Sequence, residues 1–214
     1  MRYIIDAVLA PLRSLYALLC FRRAIAEVHR LSVFAGKTET PVGPSVRALD
    51  EALSVVQVYG NLYIRYLRRA RCRLRIDDTF DYTYFWPVAN AIVFPSRILA
   101  KDSALWVASS LVHEATHVRI HRAGIRPSSD NLRRIEDLCT NTQIEFLAQT
   151  STEHGAEAGN FIAWLEECRT AEQPWWSPAL RVRRRREALS AAGAPGWLVG
   201  LAAPKKRPSR ESGV

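Results

Sequence analysis

The stretch "SSLVHEATHVRIHRAG" at residues 109–124 sets three of the chain's five histidines and a glutamate within nine positions. His113 and His117 are four residues apart. On a helix that spacing is about 40° of rotation and about 6 Å of rise, so both imidazoles lean over one point. Zinc takes nitrogen ligands at about 2.0–2.1 Å in a tetrahedral array, and the pair supplies two of them. Glu114 completes the HExxH pattern and flanks the pair. From there a carboxylate reaches a metal-activated water without ligating the ion, which is the general-base position of a zinc hydrolase. The neighbours Leu111, Val112, Ala115, Thr116 and Val118 carry no charge. The helix is therefore expected to be buried, and two histidines and a glutamate buried in it need partners. The bland alternative is a core helix whose histidines are satisfied by hydrogen bonds. His121 lies about 12 Å along the axis from His113, too far for the same ion. It is expected at the surface or behind the ligands.

"SSLVHEATHVRIH" is followed by "RRIEDLC" at residues 133–139. Together they resemble HExxH zinc metallopeptidases of the gluzincin type, and within them small bacterial proteins that carry LVHEATH and then RIExxC. The likeness covers roughly residues 85–150. It implies a zincin-like domain in which His113, His117 and Glu136 bind one Zn²⁺ per chain and Glu114 activates water. It also implies a β-strand edge, here "NAIVF", that holds an extended peptide or protein substrate. The third histidine of a metzincin would fall at Ala123, which excludes that family. Helical geometry favours Glu136 over Glu145 as the third ligand. Nine residues separate them, about 180° of rotation, so they face opposite ways. Leu132, Ile135, Cys139, Thr142 and Phe146 form the apolar stripe, with Glu136 at its edge and Glu145 and Asp137 pointing away. An inward glutamate carries a desolvation cost that an ion offsets. The bland alternative pairs Glu136 with Arg133.

The elements around these groups read as helices with a small sheet between them. "SRILAKDSALWVASSLVHEATHVRIHRAG" is one long helical pattern ending at Gly124, a residue suited to close a helix. Asp130 or Ser129 is placed to cap the next helix, "NLRRIEDLCTNTQIEFLAQT", and another helix covers about 155–170. Upstream, "SVRALDEALSVVQVYGNLYIRYLRRA" reads as one or two helices with Gly60 a weak point. "RCRLRI" alternates as a half-buried strand, "TFDYTYFW" alternates again through Phe80, Tyr82, Tyr84 and Trp86, and "NAIVFP" is a third strand closed by Pro95. The prediction is an α+β fold: a mainly helical, zincin-like domain with a small antiparallel sheet beside the HExxH helix.

With 214 residues and six tryptophans, the chain can bury a core without staples. Cys20, Cys72, Cys139 and Cys168 form no CxxC pair, which argues against a disulfide framework and for a reducing, cytoplasmic setting. An N-terminal amphipathic helix is expected within residues 1–34, packed on the domain. Asp6, Pro11 and Arg13 interrupt it, so it falls short of the roughly 18–20 apolar residues a membrane span needs. Surface contact with a membrane is the minority reading. Residues 35–45 read as a linker, residues 45–203 as the metal-binding domain and 204–214 as a disordered basic tail. The charge of +9 is local. It concentrates in Arg65–Arg75, in Arg181–Arg186 and in the tail, which suits a solvated face or weak contact with an anionic surface. No helix-turn-helix or aromatic-basic signature points to a specific nucleic acid. The expected function is metal-dependent hydrolysis of a peptide bond. The alternatives are a non-catalytic protein stabilised by zinc, or a basic module that binds nucleic acid or anionic lipid.

Overall fold

A computed structural model describes residues 21, 23–128 and 130–170. They fall within one compact unit, Met1–Ala171; the chain's other unit, Glu172–Val214, holds none of them. The helix expected over the first twenty residues, the Arg181–Arg186 run and the basic tail lie outside the described residues.

A hairpin comes first, β1 (Ala26–Val28) and β2 (Leu31–Ala35). It replaces the later part of the helix expected within residues 1–34. Its two turn residues, His29 and Arg30, both have positive φ, 48° and 59°. That is the I′-type geometry that usually takes Asn-Gly. Here the turn is held from outside, where Arg68 Nε donates to the His29 carbonyl at 2.7 Å. No local turn signature exists, so the hairpin escapes a reading by local signals.

The long helix α1 (Val42–Arg69) follows, kinked at Gly60. It takes in Val42–Ser45, the end of the expected linker. A Cβ at Gly60 would come within 3.3 Å of the Phe146 ring, so this glycine permits a close approach between helices. Strands β3 (Arg73–Ile76), β4 (Tyr84–Trp86) and β5 (Ala91–Phe94) complete a five-stranded sheet of order β1-β2-β3-β5-β4. The sheet is mixed, not antiparallel: β2 runs parallel to β3, and β3 parallel to β5. Between β2 and β3 the chain crosses through α1, a helical crossover of the kind that parallel neighbours require; between β3 and β5 it crosses through residues 77–90, which include β4. Once β2 is missed, the α1 crossover is missed too. The strand expected in "TFDYTYFW" contracts to Tyr84–Trp86, with Phe80, Tyr82 and Tyr84 meeting as a tilted and edge-to-face aromatic cluster at its start.

Two helices stand where one long pattern was read: α2 (Ser96–Lys101) and α3 (Ala104–Arg122). Asp102 takes an extended conformation, and Ser103 begins α3 by accepting the Trp106 N–H on its hydroxyl. At the far end Ile125 N–H donates to Ile120 C=O and Gly124 N–H to His121 C=O, with Gly124 at φ +83°. This is the Schellman closure that Gly124 suits. Helix α4 (Leu132–Gln149) and helix α5 (Ser151–Thr170) finish the described chain. Asn131 precedes α4 without a side-chain cap on it. The core lies between α1, α3, α4 and the sheet, and Leu49, Leu53, Ile64, Leu74, Ile92, Leu111 and Phe146 are among its fully buried side chains. Among the described residues, no helix is long and apolar enough to cross a membrane.

Candidate metal centre

Helix α3 is covered nearly all round: Leu105, Val107, Ala108, Leu111, Val112, Ala115, Val118 and Ile120 are buried on it, and so are His113 and Glu114. A helix surrounded in this way crosses a core, so its polar side chains must meet other polar groups there. They meet α4. Its buried face carries Ile135, Glu136, Cys139, Thr140, Gln143, Phe146 and Leu147. Glu136 therefore sits inside the buried stripe and not at its edge, because the stripe runs through Thr140 and Gln143 while Thr142 is only half-buried. Glu145 is exposed, as its phase requires. Arg133 makes its ion pair with Asp137, at 3.8 Å, on the outer side of the helix.

Three donor atoms converge. His113 Nε2 and His117 Nε2 are 3.2 Å apart, and Glu136 Oε2 stands 3.6 Å from the first and 3.4 Å from the second. Two ligands about 2.05 Å from a tetrahedral ion are about 3.3 Å apart. All three edges of the triangle lie near that spacing, so these side chains fit Zn²⁺ with little rearrangement. Cys139 also faces the group: its Sγ and one ring nitrogen of each of His113 and His117 lie within 4.8 Å of one another. Glu136 already has the ligand spacing, whereas the thiol is bound only by the looser limit, which makes Glu136 the better third ligand.

The tautomer of His113 can be deduced from its surroundings. Ser109 Oγ donates to the Trp106 carbonyl at 2.9 Å, so it accepts from Gln143 Nε2 at 3.0 Å. That orients the Gln143 amide with Oε1 toward His113 Nδ1, at 3.2 Å. Nδ1 then donates to that oxygen, and Nε2 is the ring atom turned toward His117 and Glu136. A ligating histidine is held this way, its other nitrogen donating to a fixed acceptor. Burial alone would raise the Glu136 carboxyl, but the His113 and His117 imidazoles beside it outweigh burial and hold the group far below the ordinary carboxylate range. Burial, with the charges of Glu114 and Glu136, pushes the Cys139 thiol far up.

Glu114 lies on α3 next to His113, and its charge reaches both Cys72 and Cys139. His121 is away from the centre, edge-on to Phe85 at 5.5 Å and beside the Arg126 guanidinium. Burial and the charges of Arg126 and Arg122 lower its pKa. The strand "NAIVF" is not an edge: β5 is interior, between β3 and β4. The terminal strand beside it is β4, Tyr84–Trp86, because the hairpin folds outward past β5. Ser109, Gln143 and Cys139 had no assigned role in the motif reading. The signal for the last two was present, since Cys139 and Gln143 follow Glu136 by three and seven residues and so share its face. Family models, curated proteins and solved structures were compared with the chain, and none matches it.

Proposed function

We propose that this chain is a zinc-dependent hydrolase, a metallopeptidase, in which His113, His117 and Glu136 hold one Zn²⁺ and Glu114 is the general base. The observation that carries this reading is the donor triangle, two nitrogens and one carboxylate oxygen with edges of 3.2, 3.4 and 3.6 Å. When bound, Zn²⁺ would supply Lewis acidity to the scissile carbonyl and to the attacking water. The Glu114 carboxylate accepts the proton of that water and returns it to the leaving amine. Gln143 and Ser109 keep His113 turned toward the ion. Strand β4, terminal in the sheet and close to α3 through the Phe85–His121 contact, offers backbone N–H and C=O groups to an extended peptide. The described cysteines form no disulfide, which supports a cytoplasmic setting for this activity.

One observation favours a second reading. A fourth protein ligand closes a zinc site, whereas a catalytic site keeps one position open, and the Cys139 thiol lies near enough to close this one. The site would then be structural. Glu114→Gln separates the two. In a hydrolase the variant keeps its zinc and cleaves a mixed peptide library at least about 100-fold more slowly than wild type, because the amide cannot take the proton. Zinc-loaded wild type and zinc-loaded Cys139→Ser that both cleave nothing in that library would overturn the hydrolase in favour of the structural reading.

A further inference from the structure

The buried thiol beside the donor triangle has a use that neither HExxH nor the third glutamate accounts for. Cys139 follows Glu136 by three residues on α4, about 60° round and about 4.5 Å along the axis, so it lies over the same part of α3. Its surface is fully covered. Packing alone explains part of this, since Cys139 belongs to a small buried cluster with Ile120 and Ile135. Packing does not require a sulfur atom within 4.8 Å of a ring nitrogen of each histidine. A thiolate and an imidazole on one tetrahedral zinc are about 3.6 Å apart. The 4.8 Å limit therefore leaves the sulfur within about 1.2 Å of ligand spacing, a distance that small side-chain adjustments can close.

We propose that Cys139 is a fourth protein ligand of the ion held by His113, His117 and Glu136, so that its thiolate and water compete for one coordination position. The proposal rests on the metal-site reading given above. On ligation the S–H bond breaks, the proton passes to solvent and a sulfur–metal bond forms, with no change of oxidation state. With the thiolate on, the site is closed and latent. With it off, the position is open to water and Glu114 has something to deprotonate. The same ligand set selects borderline-soft ions such as zinc or cobalt over magnesium or calcium, which prefer oxygen.

The test uses the full chain, stripped of metal and titrated with Co²⁺ alone. The expected result is one cobalt per chain, with visible ligand-field bands and a near-ultraviolet thiolate-to-cobalt charge-transfer band. That band should vanish in Cys139→Ser, and in Cys139→Ala, while the ligand-field bands remain. A variant with Cys20, Cys72 and Cys168 all changed to serine leaves Cys139 untouched, and it should keep the band even if the Cys139 variants do not fold. Stoichiometric cobalt with no charge-transfer band in wild type would overturn the ligand role while leaving the three-ligand site standing. A band that persists in folded Cys139→Ser would overturn it as well. No cobalt bound by wild type at all would sink the metal site itself, and the hydrolase reading with it.

Discussion

Two histidines in this chain have nearly the same partners. His29 faces Gln57 Oε1 with Nδ1, at 2.6 Å, and Asp50 Oδ1 with Nε2, at 3.4 Å. His113 faces Gln143 Oε1 with Nδ1, at 3.2 Å, and Glu136 Oε2 with Nε2, at 3.6 Å. A glutamine–histidine–carboxylate trio is therefore not a metal site by itself. Two things differ. A second imidazole, His117, shares the Glu136 oxygen, while the group beside His29 Nε2 is the Ser54 hydroxyl, at 3.3 Å. The side chains of His29 and His117 are covered to a similar extent, 16% and 18% exposed, but Asp50 is 62% exposed and Glu136 only 5%. Water screens the first pair, so it contributes little. The second must find its compensation inside the protein. The first trio lies at a turn, whereas the second, with His117 added, sets three donor atoms at the spacing a tetrahedral ion would need.

The comparison can be broken most directly at the imidazoles. Protein purified without added metal should contain about one zinc per chain, as a single four-coordinate site predicts. His113→Ala/His117→Ala should contain none, and His29→Ala should contain as much as wild type. Elemental analysis checks all three, and full zinc in the double variant would remove the distinction. At the carboxylates, Glu136→Ala should weaken zinc binding more than about tenfold in a competitive chelator titration, since it deletes one of three ligands. Asp50→Ala and Glu145→Ala should leave it unchanged. The reverse order would mean that α4 presents a different face to α3.

At the glutamines the expected effect is smaller. Gln143→Leu removes the acceptor that fixes the His113 tautomer and should cost about tenfold in zinc affinity, as loss of a partner behind a ligand does. Gln57→Leu should cost nothing in the same titration. An equal result for the two would show that the amide beside His113 does not orient it.

The smallest effect concerns pH in metal-free protein. Glu136 is depressed in the folded state from an ordinary value of 4.5. A lowered carboxyl stabilises the fold fully above its unfolded value, and that contribution is lost as pH falls through the folded one. The melting-temperature gap between wild type and Glu136→Gln should therefore be full above pH 4.5 and narrow only below it. A Glu136→Gln gap that opens only below pH 4.5 would reverse the sign.

Much of the site is written in local periodicity. The i,i+4 histidines, Glu114 between them, and the opposed phases of Glu136 and Glu145 follow from 3.6 residues per turn and need no tertiary information. The same holds for the Gly124 closure and the weak point at Gly60. Other features depend on contacts far apart in sequence. The β1–β2 turn is held by Arg68, thirty-nine residues from His29, so no turn residue announces it. The parallel pairing of β2 with β3 follows from where α1 sets its two ends. The edge passes from β5 to β4 because a hairpin must place one of its strands outside the other. At the centre, spacing along α3 and α4 determines which side chains share a face. That the Glu136 oxygen lies between two imidazoles, and that Ser109 turns the Gln143 amide toward His113, was decided only when the two helices packed, since a hydrogen-bond network is oriented by partners on different elements.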